Sequence, residues 1–297
     1  MKQYKADLIV LLVTFFWGTS YLFMKLGLDS LQPFNLIALR FGIAFVAAGC
    51  LFYKRLLKAS RTDLFYSLLL GVLLFGVFAS IMLGLQSTST SNAGFLMSMT
   101  VIFVPVLSTV FMKSKLDKRL IIGLILAIVG IGMLTLKPNT TLQSGDAWCI
   151  LSALFFAIHI ITTGRAAKKA DSLHVGILQL GVAAVLGLIF TLMFETPRLP
   201  DTTSSWISVL ALGIVCSAMG FVLQAVAQQY TTPTHTGLIF ALEPVVAAVI
   251  GICFLKETLT IQGYIGAALV LCGVAFSELD VKKLLDKRKL ARGSSYM

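Results

Sequence analysis

Near the middle of GLIFALEPVVAAVIGICFL, residues 237 to 255, an otherwise apolar run carries Glu243 and Pro244 side by side. A carboxylate at that depth is costly unless it is protonated, paired or facing a wet cavity, so Glu243 is either a functional acid or a protonated structural hydrogen bonder. Pro244 lacks an amide hydrogen and frees the carbonyl of Phe240, one turn earlier, so the pair forms a polar, bendable spot. Arg40 is the other ionised side chain enclosed by apolar sequence. Its forked guanidinium suits a solute carboxylate or an internal acid such as Glu243 equally well, and it could also serve as an anchor. Trp17 and Tyr21, four residues apart, share one helix face and could line a pocket or pack against neighbours. His159 suits either a hydrogen-bonded packing role or a proton relay.

These residues must be positioned by a membrane-embedded scaffold. The 297-residue chain is 58% hydrophobic and only 12% charged, a composition far from that of a soluble domain. Measured against a spanning length of about 20 residues, the apolar runs predict ten helices: 7–25, 34–53, 64–86, 88–112, 120–136, 147–165, 173–194, 205–229, 231–255 and 258–279. The first run lacks a small-residue cleavage site and reads as a retained helix rather than a signal peptide.

Basic residues fix the expected orientation, since Lys and Arg accumulate on the cytoplasmic side. Lys2 and Lys5, Lys54 to Arg61, Lys113 to Arg119, Arg165 to Lys169 and the tail from Lys282 to Arg292 fall on one side; Lys25, Lys137, Arg198 and Lys256 fall on the other. Both termini are expected in the cytoplasm of a cell whose plasma membrane, the inner membrane in a bacterium, holds the protein. The net charge of +11 is then a topology signal plus a basic tail beside lipid headgroups, with no nucleic-acid partner implied. The five cysteines lie within the spans without CxxC spacing, so neither disulfide nor metal site is expected.

The chain repeats itself. A shift of 143 residues lays Gly94 on Gly237, Lys113 on Lys256, Gly123 on Gly266 and Gly130 on Gly273; it also puts Thr100 and Val101 where the second copy has Glu243 and Pro244. A shift of 139 lays Trp17 on Phe156, Ser20 on His159 and Arg40 on Gln179. Five helices per copy means that the second enters the membrane inverted, so the fold class is an all-α polytopic membrane protein of two inverted five-helix repeats. The units are 1–136, an external linker 137–146, 147–279 and a basic tail 280–297. Thr100 joins the candidate site residues by this alignment, and Pro105 and Pro244 are the candidate hinges.

FFWGTSYLFMK, ALRFGIAF and above all YTTPTHTGLIFALEPVVAAVIGICFLKETLTIQGYIGAALVLCGV resemble the EamA family of the drug/metabolite transporter superfamily. The resemblance covers nearly the whole chain. It implies ten helices, a central substrate pathway and movement of small solutes by alternating access, often export of amino acids or related metabolites. No cofactor is implied, protons are a candidate coupling ion, and a monomer or weak homodimer is expected. The alternatives are import of an organic cation, with Trp17 and Tyr21 against the cation and Glu243 as countercharge, a nontransporting receptor or scaffold, and an intramembrane lipid-phosphate enzyme. The enzyme would need clustered acids or metal ligands that the spans lack.

Overall fold

The computed structural model describes residues 1–85, 87, 90–112, 118–135, 144–255 and 260–278, of which Tyr21, Lys25, Leu85, Thr90, Ser91, Asn92, Met112, Thr135, Gly251, Phe254, Leu255, Ser277 and Glu278 are described by backbone alone. The proposed basic tail, 280–297, and most of the linker at 137–146 lie outside the described residues. Every regular element described is helical: α1 (Gln3–Leu28), α2 (Pro33–Leu56), α3 (Arg61–Leu85), α4 (Thr90–Ser98), α5 (Thr100–Met112), α6 (Lys118–Thr135), α7 (Asp146–Ala166), α8 (Ser172–Phe194), α9 (Thr203–Leu210), a π-helical segment (Ala211–Met219), α10 (Gly220–Ala227), α11 (Pro233–Phe240), α12 (Glu243–Leu255) and α13 (Ile261–Glu278). Eight helical runs are long and apolar enough to cross a bilayer, α4 with α5, α9 through α10 and α11 with α12 each forming one of them. A shorter apolar helix, Ile261–Phe276, falls on the tenth expected run, and α6 falls on the fifth.

The starts of these helices follow from local chemistry. Pro33 and Pro233 occupy first-turn positions, where a missing amide hydrogen costs nothing. Asp171 accepts from the amides of Leu173 and His174, Thr202 from that of Ser205 and Thr232 from that of His235, each cap satisfying an otherwise orphaned donor.

Two expected runs are interrupted, and at matching places. The Met99 amide donates to the Leu96 carbonyl at 3.1 Å, and the Leu242 amide to that of Ile239 at 3.0 Å, each a tightened turn in place of the ordinary helical bond. These two bonds are related by the 143-residue shift. Pro244 sits in the first turn after its break, whereas α5 continues through Pro105 and the break in this copy lies upstream at Met99. The eighth run, expected as one regular helix, contains the nine-residue π segment.

The first helix of each copy packs on the other copy: α1 against α9 to α12, α7 against α3, α4 and α5. Thr231 donates to Asp7 near the start of α1, and a Cβ on Gly164, near the end of α7, would meet Pro233 at 2.8 Å. The start of α1 and the end of α7 therefore share a face, so the two helices run in opposite directions. Carboxylates clasp the copies together at both ends. Glu195 accepts from the amides of Phe34 and Asn35 at 2.9 and 2.8 Å, and Asp63 accepts from the Asp171 amide and contacts His174 Nδ1, both at 2.9 Å.

Candidate functional site

A cavity containing about 500 Å³ of unfilled space, part of it open, lies where the two copies meet. Its wall brings together Trp17, Ser20 and Met24 from α1, Arg40 from α2, Val77, Phe78 and Ile81 from α3, Met97, Phe156, Phe221 and Glu243. A smaller hollow, with about 280 Å³ of unfilled space including its open part, sits beside the helix breaks, lined by Ser98, Thr100, Val101 and Phe240 and sharing Met97, Phe156 and Glu243 with the first. Glu243, the first residue of α12, thus stands between two chambers.

Trp17 is buried and fixed by its surroundings. Its indole Nε1 donates to the Cys216 carbonyl at 2.9 Å, and its ring packs 4.9 Å from Phe221, 4.8 Å from Phe240 and 5.5 Å from Phe156. The π segment supplies that carbonyl, and one residue later it supplies the partner of Arg40: the guanidinium Nε donates to Ser217 Oγ at 2.6 Å. Arg40 is 2% exposed and lies 4.4 Å from the centre of the Phe78 ring. Cation–π contacts of this kind are worth about 2 kcal/mol when desolvated. Such a contact lets a cation reside in an apolar wall without neutralising it.

The residues singled out from sequence divide in their placement. Trp17, Arg40 and Glu243 converge on one cavity, and Thr100 joins Glu243 at the smaller one, its hydroxyl donating to Met97 O at 2.8 Å. His159 lines neither cavity; it lies behind Phe156 and Phe221, fully buried, with Nε2 2.8 Å from Gln179 Oε1. Tyr21 belongs to α1, and its side chain lies outside the described residues. Sequence reasoning missed Ser217, Phe78, Phe221, Met24 and Met97. Phe156 alone carried a signal, because the repeat alignment sets it on Trp17.

The wall is mostly aromatic and aliphatic, with one cation, one carboxylate and a hydroxyl, the make-up of a site for a small molecule with an apolar body and polar ends. Among the described residues, no cluster of three or more His, Cys, Asp or Glu could hold a metal ion.

A helical, membrane-spanning fold of two similar halves around such a cavity defines a solute transporter. The model of the EamA-like transporter family matches residues 4–136 and 143–279, and the chain belongs to that family. An uncharacterized transporter of Archaeoglobus fulgidus is 30% identical over 95% of this chain and 88% of its own length. The uncharacterized transporter YoaV of Bacillus subtilis is 25% identical over 91% of this chain and 95% of its own. One solved crystal structure superposes with a TM-score of 0.82 at 20% identity, over 96% of this chain and 99% of that one, which supports the fold. The protein is a membrane transporter.

Proposed function

We propose that this transporter moves small zwitterionic or amphiphilic metabolites, amino acids and their relatives first among them, outward across the cell membrane by alternating access. Ten spans, with α6 and α13 as the fifth helix of each copy, both termini in the cytoplasm and the second copy inverted complete the reading. The observation that carries it is the presence of Arg40 and Glu243 on one wall of otherwise mostly aromatic and aliphatic side chains. A cation and an acid on one wall suit a solute that carries both a carboxylate and an ammonium. Glu243 at the helix break is also the group that would take up a coupling proton. The outward direction rests on the family resemblance.

The test is a thermal-stabilisation screen of the purified protein against neutral amino acids, monoamines, monocarboxylates, nucleobases and sugars, since a ligand that binds the native state raises its apparent stability. Neutral amino acids should stabilise the protein more than amines or acids lacking one of the two charges. Stabilisation by monoamines alone would replace this reading with organic-cation transport.

A further inference from the structure

His159 and Gln179 occupy, in the second copy, the positions that Ser20 and Arg40 occupy in the first. Ser20 and Arg40 line the cavity, whereas His159 and Gln179, likewise buried, line neither hollow. The antiparallel course of α1 and α7 puts the two pairs in opposite halves of the membrane: Arg40 lies about two turns from the start of α2, at the face where α1 ends, and His159 about two turns from the end of α7. The buried pair has unmet hydrogen-bonding capacity. His159 Nδ1 has no hydrogen-bond partner among the described residues, and neither has Gln224 Oε1, one turn along from the Phe221 ring that packs on His159. Gln228, the next polar residue on that helix face, donates to the Ile160 carbonyl at 3.0 Å, and the Gln224 amide reaches Gln228. Unpaired polar atoms in an apolar membrane interior cost several kcal/mol each, so their retention calls for a state in which they are used.

Resting on the alternating-access reading above, we propose that the His159–Gln179 pair is a latent half-site. When the two copies exchange conformations, it lines a cavity open to the cytoplasm, as Ser20 and Arg40 line the present one. With Nε2 donating to Gln179, His159 Nδ1 presents a lone pair, and Gln224 Oε1 presents another. The half-site therefore offers acceptors to a hydrogen-bond donor, the ammonium end of a zwitterion, whereas the Arg40 wall offers donors to its carboxylate. At this face Gly164 packs against Pro233, where an added Cβ would lie 2.8 Å from the proline ring.

The test uses the full-length protein with its native cysteines replaced, one reporter cysteine at a time and a membrane-impermeant maleimide applied to intact cells or inside-out vesicles. The reporters are Ser20→Cys, Gln179→Cys with His159→Cys as its substitute, and Thr231→Cys at the cytoplasmic mouth; each must melt cooperatively. Gly164→Phe wedges the closed face. Labelling at Gln179→Cys from the cytoplasmic side should quicken by about tenfold or more with the wedge, as a population shift of that size requires, and labelling at Ser20→Cys should slow correspondingly. If the wedge slows Ser20→Cys and quickens Thr231→Cys while both the 179 and 159 reporters stay silent, alternation stands and the half-site falls. If none of the reporters responds, alternating access fails and the half-site fails with it. Should the wedge prevent folding, the unwedged carrier is labelled over long incubation: slow reaction of the 179 or 159 reporter from the cytoplasmic side alone is the expected result. Silence there after the mouth reporter has fully reacted overturns the proposal.

Discussion

Gly130 and Gly266 touch through their backbones: a Cβ on either would lie 2.6 Å from the carbonyl oxygen of the other. Gly273 meets the Gly123 carbonyl at the same distance, so α6 and α13 are joined by two glycine contacts exchanged between the copies. Close backbone approach is how helices associate where no hydrophobic effect drives them together. Gly266→Val should therefore lower stability by about 1–3 kcal/mol, the usual cost of overpacking. Gly42→Ala, whose Cβ meets nothing within 4 Å, should leave it unchanged. Thermal unfolding of the two purified variants, followed by loss of the monodisperse chromatographic peak, checks the contrast.

The carboxylate of Asp63 holds the Ser60 amide, the Asp171 amide and the His174 imidazole at 2.8 to 2.9 Å. Asp63→Ala strands all three and should cost about 2–4 kcal/mol. His174→Gln should cost less, because both amides keep their acceptor. The same melting measurement on this pair ranks them, and equal effects would reduce the clasp to its imidazole bond.

Glu243→Gln keeps the shape of the side chain at the break in the ninth run and removes its charge. A cooperatively melting variant that has lost transport, or the pH dependence of transport, is the expected outcome in proteoliposomes. Unchanged transport with an unchanged pH profile would leave Glu243 a structural hydrogen bonder.

Arg40→Lys and Trp17→Phe separate the solute classes. For a solute bearing a carboxylate, the lysine loses the forked geometry and the bond to Ser217, and affinity should fall by about tenfold or more. Trp17→Phe gives up one hydrogen bond to Cys216, about 1 kcal/mol, and should matter less. For an organic cation the order reverses, since indole is the stronger partner of a cation. Competition binding with whichever compound stabilises the wild type decides between them.

Reporter enzymes fused after Lys58 and Lys168 should be active in the cytoplasm, and one fused after Arg198 outside, because the basic clusters lie at the first two positions. A cytoplasmic reporter after Arg198 would break the inverted arrangement.

Helix existence was legible because apolar length is nearly sufficient to define a membrane helix. The breaks were half legible. Pro244 marked one, but Val101 stands at its counterpart in the first copy and the same tightened turn forms there, so proline is not its only cause. Only the duplication pointed to Thr100. The π segment left no trace in the sequence: its extra residue per turn changes which side chains face Trp17 and Arg40, and that register is set by packing on α1 and α2. For this reason Ser217 could not be foreseen as a partner of Arg40, whereas Glu243 could be named as a possible one.

The opposite charges on the cavity wall bear on how the carrier responds to voltage. A single charge moved across a potential of 100 mV changes energy by about 2.3 kcal/mol. With Glu243 ionised, it and Arg40 carry no net charge between them, so swinging the empty carrier from one face to the other displaces little charge. Membrane potential then leaves the return stroke almost untouched, and a zwitterion adds no charge of its own to the loaded stroke. A measurable current across a bilayer reconstituted with this protein would therefore report the ion that travels with the solute, and counting charges per solute would give its stoichiometry.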